Sequence, residues 1–485
     1  MSCPGGCEGP KFCPHERTWR DACGVFGVWG PGEDVARLTF FGLYALQHRG
    51  QESAGIAVGD GHELRMHVGL GLASQVFDEE IISHLQGHVA VGHVRYSTTG
   101  GNVLANAQPM RGEHKTGPFA LAHNGNLTNT VELRREMERQ GVEFHGSSDT
   151  EVITKLISRS SADTLEGAVA EAMQQMEGAY SLTICSANRL LATRDPYGVR
   201  PLCIGRTDGL WILASETCAL NTLSADYVRE VQPGEIVTIS DDGLDSMQAV
   251  ESERNACCIF EFIYFARPDS HIYGRSVYMA RLRMGHMLAQ QAPADADLVV
   301  GVPESAIPHA MGFAQVAGIP YGEGFIKNRY IHRTFIMPDQ RLREAGVKMK
   351  LTPLREAVAG KRLVVVDDSI VRGTTTGPEI ALLREAGARE IHLRISCPPI
   401  RYPCFYGIDT STRSHLIASR LSVEQIRQHV GADSLEYLDM KNLIRAVGLP
   451  KLNFCTACFD ERYPIPVPKD VRVAKFDLEE QKVEA

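Results

Sequence analysis

The sequence predicts two folds in one chain: an α+β sandwich of layers over residues 23–250, and an α/β domain built on a parallel sheet over residues 257–463. Three observations carry the prediction. The chain has 485 residues, roughly three times the length prior for one domain. From Asp21 to about Ile239, short apolar, β-rich runs recur between Gly- and Asn-rich turns with few helical patterns among them, the rhythm of an α+β protein. Beyond that point near-continuous Val and Leu runs alternate with helical stretches, which marks a parallel sheet covered on both faces.

Taken in order, the apolar runs place strands at Cys23 to Trp29, Ser53 to Val58, His88 to Val94, Phe119 to His123, Tyr180 to Cys185 and Trp211 to Ala214. Apolar residues at three and four spacing place helices at Glu33 to Gln47, Thr130 to Gln140 and Asp149 to Ser158. The polar segment Ser240 to Asn255, with its Asp241-Asp242-Gly243 turn, is the expected domain junction. After it come a buried strand at Asp297 to Pro303, a helix at Ser305 to Ala317 and a second buried strand at Arg362 to Val366. Residues 464–485, with Pro464, Pro466, Pro468 and a charged end, read as a tail.

Composition narrows the function classes. Lys plus Arg total 50 against 59 Asp plus Glu, a net charge of −9, which argues against nucleic acid as a partner because a phosphate-backbone binder needs a basic field. No run approaches the ~20 apolar residues of a membrane span, and Met1 to Arg20 lack the apolar core of a signal peptide. The 13 cysteines are too few for a disulfide scaffold of this length, so the chain reads as cytoplasmic, with thiols reduced or bound to metal.

The strongest local signal is Arg362-Leu-Val-Val-Val-Asp367-Asp368-Ser369-Ile-Val-Arg372-Gly373-Thr374-Thr375-Thr376-Gly377-Pro378-Glu379. A buried strand ends in two carboxylates, and a loop of hydroxyls and glycine leads into a helix. Backbone N–H groups of Arg372 to Thr376 can cradle a phosphate at that helix N-terminus. The carboxylates, at the carboxyl end of a strand where open α/β sheets bind ligands, can hold sugar hydroxyls or Mg²⁺. This stretch resembles the binding loop of the type I phosphoribosyltransferases, which use 5-phosphoribosyl pyrophosphate with Mg²⁺. The resemblance implies that Asp367 and Asp368 contact the ribose hydroxyls or the metal, that Ser369, Arg372, Gly373 and Thr374 hold the 5′-phosphate, and that Ser305 lies by the Mg²⁺ site, with a helix N-cap as the equal alternative for Ser305. The cation-rich stretch from Lys327 to Lys350 is either a solvated loop or a lid that closes over pyrophosphate.

The first half carries a second constellation: Cys23-Gly-Val-Phe-Gly27, Gln47-His48-Arg49-Gly50-Gln51-Glu52-Ser53, Gly92-His93-Val-Arg95-Tyr96, His123-Asn124-Gly125-Asn126 and Ser147-Ser148-Asp149-Thr150-Glu151. The last four are polar clusters at strand ends, where loops on a rigid scaffold carry chemistry. In this order they resemble the class II glutamine amidotransferase domain, an N-terminal-nucleophile hydrolase with a four-layer αββα sandwich. The resemblance implies removal of a propeptide, residues 1–22, so that the freed α-amine of Cys23 serves as base for its own thiol. It further implies that Asn124 and the Gly125 amide form an oxyanion hole, that Arg95 clamps the glutamine α-carboxylate and that Asp149 binds its α-amine. His48 and His93 are read as buried hydrogen-bonding residues.

Joined, the two halves resemble the glutamine phosphoribosylpyrophosphate amidotransferases. That implies glutamine and 5-phosphoribosyl pyrophosphate as substrates, purine nucleotides as feedback inhibitors and a homotetramer. Cys455-Thr-Ala-Cys458 alone suits zinc, redox or cluster chemistry. Together with Cys404 and Cys258 it matches the iron–sulfur subgroup, which implies a [4Fe–4S] cluster on these four cysteines; without the resemblance, structural zinc is about as probable. The neighbouring Cys257 leaves a one-residue ambiguity, with Cys258 favoured for its distance to the Glu261 motif.

Overall fold

Along Gly24–Trp29 (β1) successive side chains alternate between two separate cores, as the two-residue period of a strand requires. Val25 and Trp29 enter one core and Phe26 and Val28 the other. This is seen in a computed structural model that describes residues 23–96, 101–252, 254–328, 351–408, 410, 413–450 and 453–467. The expected propeptide 1–22, Lys350 with most of the cationic stretch, and the expected tail from residue 468 lie outside the described residues.

The strands that follow in the first part are Ser53–Gly59 (β2), Leu64–Leu70 (β3), Val89–Arg95 (β4), Met110–His114 (β5), Gly117–Leu127 (β6), Gly178–Ser186 (β7), Leu190–Arg194 (β8), Cys203–Thr207 (β9), Leu210–Ala214 (β10), Asp226–Glu230 (β11), Glu235–Ser240 (β12) and Gly243–Gln248 (β13). They build a seven-stranded sheet in the order β11-β9-β10-β1-β4-β2-β3 and a six-stranded sheet in the order β13-β12-β8-β7-β6-β5. Neighbouring strands in both sheets pair antiparallel.

Three apolar layers explain the stacking. Val25, Val91, Ala120, Ala122 and Leu213 fill the space between the two sheets. Phe26, Ala54 and Ile56 pack with Val35, Ala36 and Leu43 of the helix Val35–Ala45 on the outer face of the first sheet. Phe119, Leu121 and Leu182 pack with Ile153 and Ile157 of the helix Asp149–Arg159, and with Ala168 and Val169 of the helix Leu165–Met173, on the outer face of the second. The result is helix, sheet, sheet, helix, the expected αββα sandwich. Because Cys23 precedes β1 in phase with Val25, it faces the second sheet.

The expected junction is a different object. Ser240 closes β12, Asp241 and Asp242 make the turn, and Gly243–Gln248 pairs back as an edge strand. That strand is largely exposed, so it needs no apolar pattern and reads as a linker. Among the described residues, one compact unit is formed by the chain up to Tyr278 with the segments 403–412 and 449 onward, and the other by 279–402 and 413–448. This grouping differs from a linear division at residues 250 and 257. The reason is local pairing: Cys257–Cys258 runs parallel to Phe454–Cys455, and the π-helical turn Glu261–Phe265 buries Glu261, Phe262 and Ile263.

The second unit holds a four-stranded sheet, Leu298–Gly301, Arg362–Asp367, Glu390–Ile395 and Ser434–Tyr437, all parallel and in sequence order. Its centre, Leu363 to Val366, is buried. The helices Ile307–Ala317 and Thr376–Glu385 follow the first two strands.

Candidate active sites

Cys23 lies against the end of β4. Its Sγ donates to the Tyr96 carbonyl at 3.1 Å and accepts from the Tyr96 amide at 3.3 Å. One pocket brings together Cys23, Arg95, Tyr96, Gln108, His123, Gly125, Ser148 and Asp149. Four residues singled out by sequence, Cys23, Arg95, Gly125 and Asp149, therefore meet although they come from separate strands and a helix start. The pocket encloses about 10 Å³, room for about one water, so it has to open to admit a larger ligand.

Burial is the main force on the thiol. It pushes the Cys23 pKa up to about 12, with Arg95 and Arg49 pulling down and Glu52 and Asp149 pushing up. The thiol is therefore protonated at neutral pH and needs a base before it can attack. Arg95 reaches the Gly101 carbonyl at 3.0 Å. Asp149 opens its helix, accepts from the Leu127 amide at 3.1 Å and lies 3.7 Å from His123 Nδ1. Asn124 is 1% exposed, and neither its Oδ1 nor its Nδ2 has a hydrogen-bond partner among the described residues. An unpaired buried amide is costly, and this one belongs to the strand that carries Gly125. Gly125 has φ of +155°, and a Cβ there would sit 2.0 Å from the Ala179 carbonyl oxygen, so only glycine fits.

Of the two histidines set aside, His93 is buried and His48 only half-buried. His93 Nε2 pairs with the His123 carbonyl at 3.0 Å, and burial drives its pKa down to about 3. His48 Nε2 pairs with Glu216 at 2.8 Å.

In the second unit the strand Arg362–Asp367 ends where sequence reasoning placed the acid pair. Asp368 accepts from Ser305 Oγ at 2.5 Å and from Ser369 Oγ at 2.6 Å, while its own amide donates to Asp367 at 2.8 Å. Ser305 is thus not a helix cap; Ala306 occupies that position. Burial raises the pKa of both carboxyls, Asp368 and Glu379 raising Asp367 further, with Ser305, Ser369 and Arg281 opposing the rise at Asp368. Among the described residues, burial outweighs the pull of Arg281 at Asp368. Ser369, Arg372, Gly373 and Thr374 form the loop that enters the helix Thr376–Glu385. Gly373 turns it with φ of +77°, and a Cβ there would meet Ile417 at 2.7 Å. Lys327 pairs with Glu304, next to Ser305, at 3.4 Å.

A third constellation lies in the first unit. Cys258, Cys404, Cys455 and Cys458 line one cavity with Arg200, Val199, Pro403, Tyr406, Ile408, Ala457 and Tyr463. Cys257, one residue earlier on the strand, is outside that lining and neighbours Arg194 and Glu230 instead. Burial raises the Cys258, Cys404 and Cys455 thiols, Cys258 to about 12, while the buried Arg200 guanidinium opposes the rise. Among the described residues no group of three or more His, Cys, Asp or Glu side chains is gathered as a metal site. A structural zinc would need four sulfurs about 2.3 Å from one point. A cluster instead takes each thiolate on its own iron, and Arg200 would offset the charge. The cavity encloses about 20 Å³, so the thiol side chains have to turn outward to admit one.

Comparison with known proteins gives the family. The glutamine amidotransferase domain family matches residues 93–222. The chain is 52% identical over 485 residues to an amidophosphoribosyltransferase of Synechococcus elongatus, covering 99% of this chain and 97% of that one. The chain belongs to the amidophosphoribosyltransferase family. The family member of Bacillus subtilis is 48% identical over 455 residues, 93% of this chain and 95% of its own length. A solved glutamine phosphoribosylpyrophosphate amidotransferase from B. subtilis, complexed with ADP and GMP, superposes with a TM-score of 0.88 at 48% identity, covering 92% of this chain and 98% of that one. A structure described as the allosteric regulatory enzyme of purine biosynthesis gives 0.89 at 48% identity, covering 93% of this chain and 97% of that one.

Within this amidophosphoribosyltransferase fold, sequence reasoning missed Gln108 at the nucleophile pocket and Arg200 at the cysteine cavity, and it gave Tyr96 and Ser148, which stand in their motifs, no role. Tyr96 acts through its backbone, which leaves no side-chain signal. Gln108 accepts from the His123 amide at 2.7 Å and donates to Thr150 at 2.9 Å, contacts that only the folded sheets create.

Proposed function

We propose that the three constellations serve one reaction, the glutamine-dependent amination of 5-phosphoribosyl pyrophosphate that opens purine synthesis. The observation that carries the reading is the meeting of Cys23, Arg95, Gly125 and Asp149 in one buried pocket, with a phosphate-type loop and buried acid pair in the same chain.

After removal of residues 1–22, the α-amine of Cys23 takes the thiol proton, and Sγ attacks the glutamine side-chain carbonyl carbon. Asn124 Nδ2 and the Gly125 N–H hold the charge that forms on the oxygen, a contribution of about 3 kcal/mol per donor. Arg95 pairs with the substrate α-carboxylate and Asp149 with its α-ammonium. The α-ammonium of Cys23 returns that proton to the side-chain nitrogen, the C–N bond breaks, ammonia leaves, and water releases glutamate from the thioester. Ammonia must reach the second site unprotonated, since ammonium has no lone pair to give. There it attacks C1 of the ribose, and pyrophosphate departs with the bonding electrons, leaving 5-phosphoribosylamine.

At that second site the loop Ser369 to Thr374 takes the 5′-phosphate, and Asp367 and Asp368 take ribose hydroxyls or, with Ser305, Mg²⁺. Lys327 and Lys350 are assigned to the pyrophosphate. A buried pair of carboxyls fits a divalent cation, which when bound would neutralise charge on the departing group. Cys258, Cys404, Cys455 and Cys458 would hold a [4Fe–4S] cluster with a structural role, tying the C-terminal segment to the first unit. The B. subtilis relative in complex with ADP and GMP supports purine nucleotides as inhibitors here. A homotetramer in the cytoplasm completes the reading.

The test is Cys23→Ala. Glutamine-dependent synthesis should be lost while synthesis from ammonium salts persists. Loss of both activities in a folded variant would contradict the division into two sites.

A further inference from the structure

A buried chain of charge runs from the nucleophile to the loop that carries Cys404, within one compact unit. Arg49, 1% exposed, donates from Nε to the Cys23 carbonyl at 3.0 Å. Its two terminal nitrogens grip Glu261 as a fork, Nη1 to Oε2 at 3.0 Å and Nη2 to Oε1 at 2.9 Å, and Nη1 also meets Glu216. Glu261, 0% exposed, receives Arg200 Nη1 at 3.3 Å. Arg200 then donates from Nε and Nη2 to the Tyr406 carbonyl at 3.0 and 2.9 Å, and the Tyr406 amide donates to Cys404 Sγ at 3.4 Å.

The same loop touches the other half of the pocket. Asn126 Nδ2 donates to the Phe405 carbonyl at 2.9 Å. Gly407, with φ of +100°, lies so close that a Cβ there would be 3.0 Å from the carbonyl carbon and oxygen of Gly125. One segment, 403–408, therefore braces the Gly125 strand directly and the Cys23 backbone through two arginines and a glutamate.

The arrangement has a reason in the chemistry. Once residue 22 is gone, Cys23 is held by the chain on its carbonyl side only, so the aim of Sγ depends on what fixes that carbonyl. A guanidinium donates in its own plane, and a bidentate carboxylate sets that plane. We propose that Glu261 is a positioning residue for glutamine hydrolysis, locking Arg49 against the Cys23 carbonyl and, through Arg200, tying that anchor to the Cys404 loop. The inference rests on the reading of Cys23 as nucleophile.

The test uses the full, matured chain carrying Glu261→Gln, which keeps the shape of the side chain and removes its charge. Glutamine-dependent kcat should fall about 10- to 100-fold, the range expected when reacting atoms shift by about an ångström. The glutamine KM and the ammonia-dependent rate should stay within about twofold to threefold, and alkylation of Cys23 by iodoacetamide should change rate. Arg200→Lys, which cannot reproduce the two bonds to Tyr406, should give the same split at smaller size, and serves if Glu261→Gln does not fold. Gly407→Ala, whose added Cβ presses on both the Gly125 carbonyl at 3.0 Å and Arg200 Nη2 at 3.1 Å, should also lower kcat for glutamine alone. An unchanged glutamine kcat, or an equal fall in both activities, overturns the proposal. Persistence of glutamine use in Cys23→Ala would instead overturn the reading beneath it.

Discussion

At the nucleophile pocket the working side chains come from separated stretches of two facing antiparallel sheets, Cys23 before β1, Arg95 at the end of β4, Gly125 in β6 and Asp149 at a helix start. At the phosphate site Asp367, Asp368, Ser369, Arg372, Gly373 and Thr374 come from one strand–loop–helix turn. The first site is assembled by tertiary packing and is closed. The second is assembled by local backbone geometry, and its loop is only partly buried. The contrast teaches where each is vulnerable: the first to small displacements, the second to loss of charge.

Substitutions sharpen the contrast. Gly125→Ala should have the largest effect, because the added Cβ meets the Ala179 carbonyl oxygen at 2.0 Å; glutamine-dependent kcat should fall about 10²- to 10³-fold, the cost of an oxyanion donor, with ammonia-dependent synthesis retained. Steady-state rates with the two nitrogen donors check this, and equal rates from both would break the comparison. Asp368→Asn should act in the opposite sense. It should lower synthesis from either nitrogen donor by about 10²-fold, on the order expected when a cation-binding carboxylate is lost, and leave the basal glutaminase rate in the absence of phosphoribosyl pyrophosphate near wild type. Ser305→Ala removes one hydrogen bond to that carboxylate, about 1.5–3 kcal/mol for a charged partner, so a loss of about 10- to 100-fold is expected in the same assay.

The smallest effect is on pH. In the uncut chain the native state holds the Cys23 proton more tightly than the unfolded chain does, since burial raises its pKa to about 12. That contribution to stability is complete below the unfolded thiol value of about 8.5 and is lost as pH rises towards 12. Iodoacetamide labelling of Cys23 before cleavage should therefore keep accelerating above pH 9, where an ordinary thiol has levelled off. A plateau at about pH 8.5 would mean that the pocket is open to water.

The legibility of the two sites follows from the same contrast. The acid pair and its loop could be read because strand, turn and helix are contiguous, and every side chain reports its own place. The distance to the Glu261 motif favours Cys258 over Cys257, and strand alternation, which sends adjacent side chains to opposite faces, puts Cys258 alone of the two in the cavity lining. Glu261 and Arg200 were silent because their partners lie far away in the chain, 212 residues from Arg49 to Glu261 and 206 from Arg200 to Tyr406. The segment Ser240 to Asn255 misled because an exposed edge strand needs no apolar face. The unit grouping was equally hidden, since the return of 403–412 and 449 onward to the first unit depends on pairing at Cys257–Cys258.

The central claim is that the two sites run one reaction. It is tested most directly by supplying the purified protein with glutamine, Mg²⁺ and phosphoribosyl pyrophosphate and measuring glutamate and pyrophosphate in the same samples. Glutamate release that rises with phosphoribosyl pyrophosphate and is matched by pyrophosphate is the expected result. Glutamate release indifferent to phosphoribosyl pyrophosphate, with no pyrophosphate formed, would contradict it.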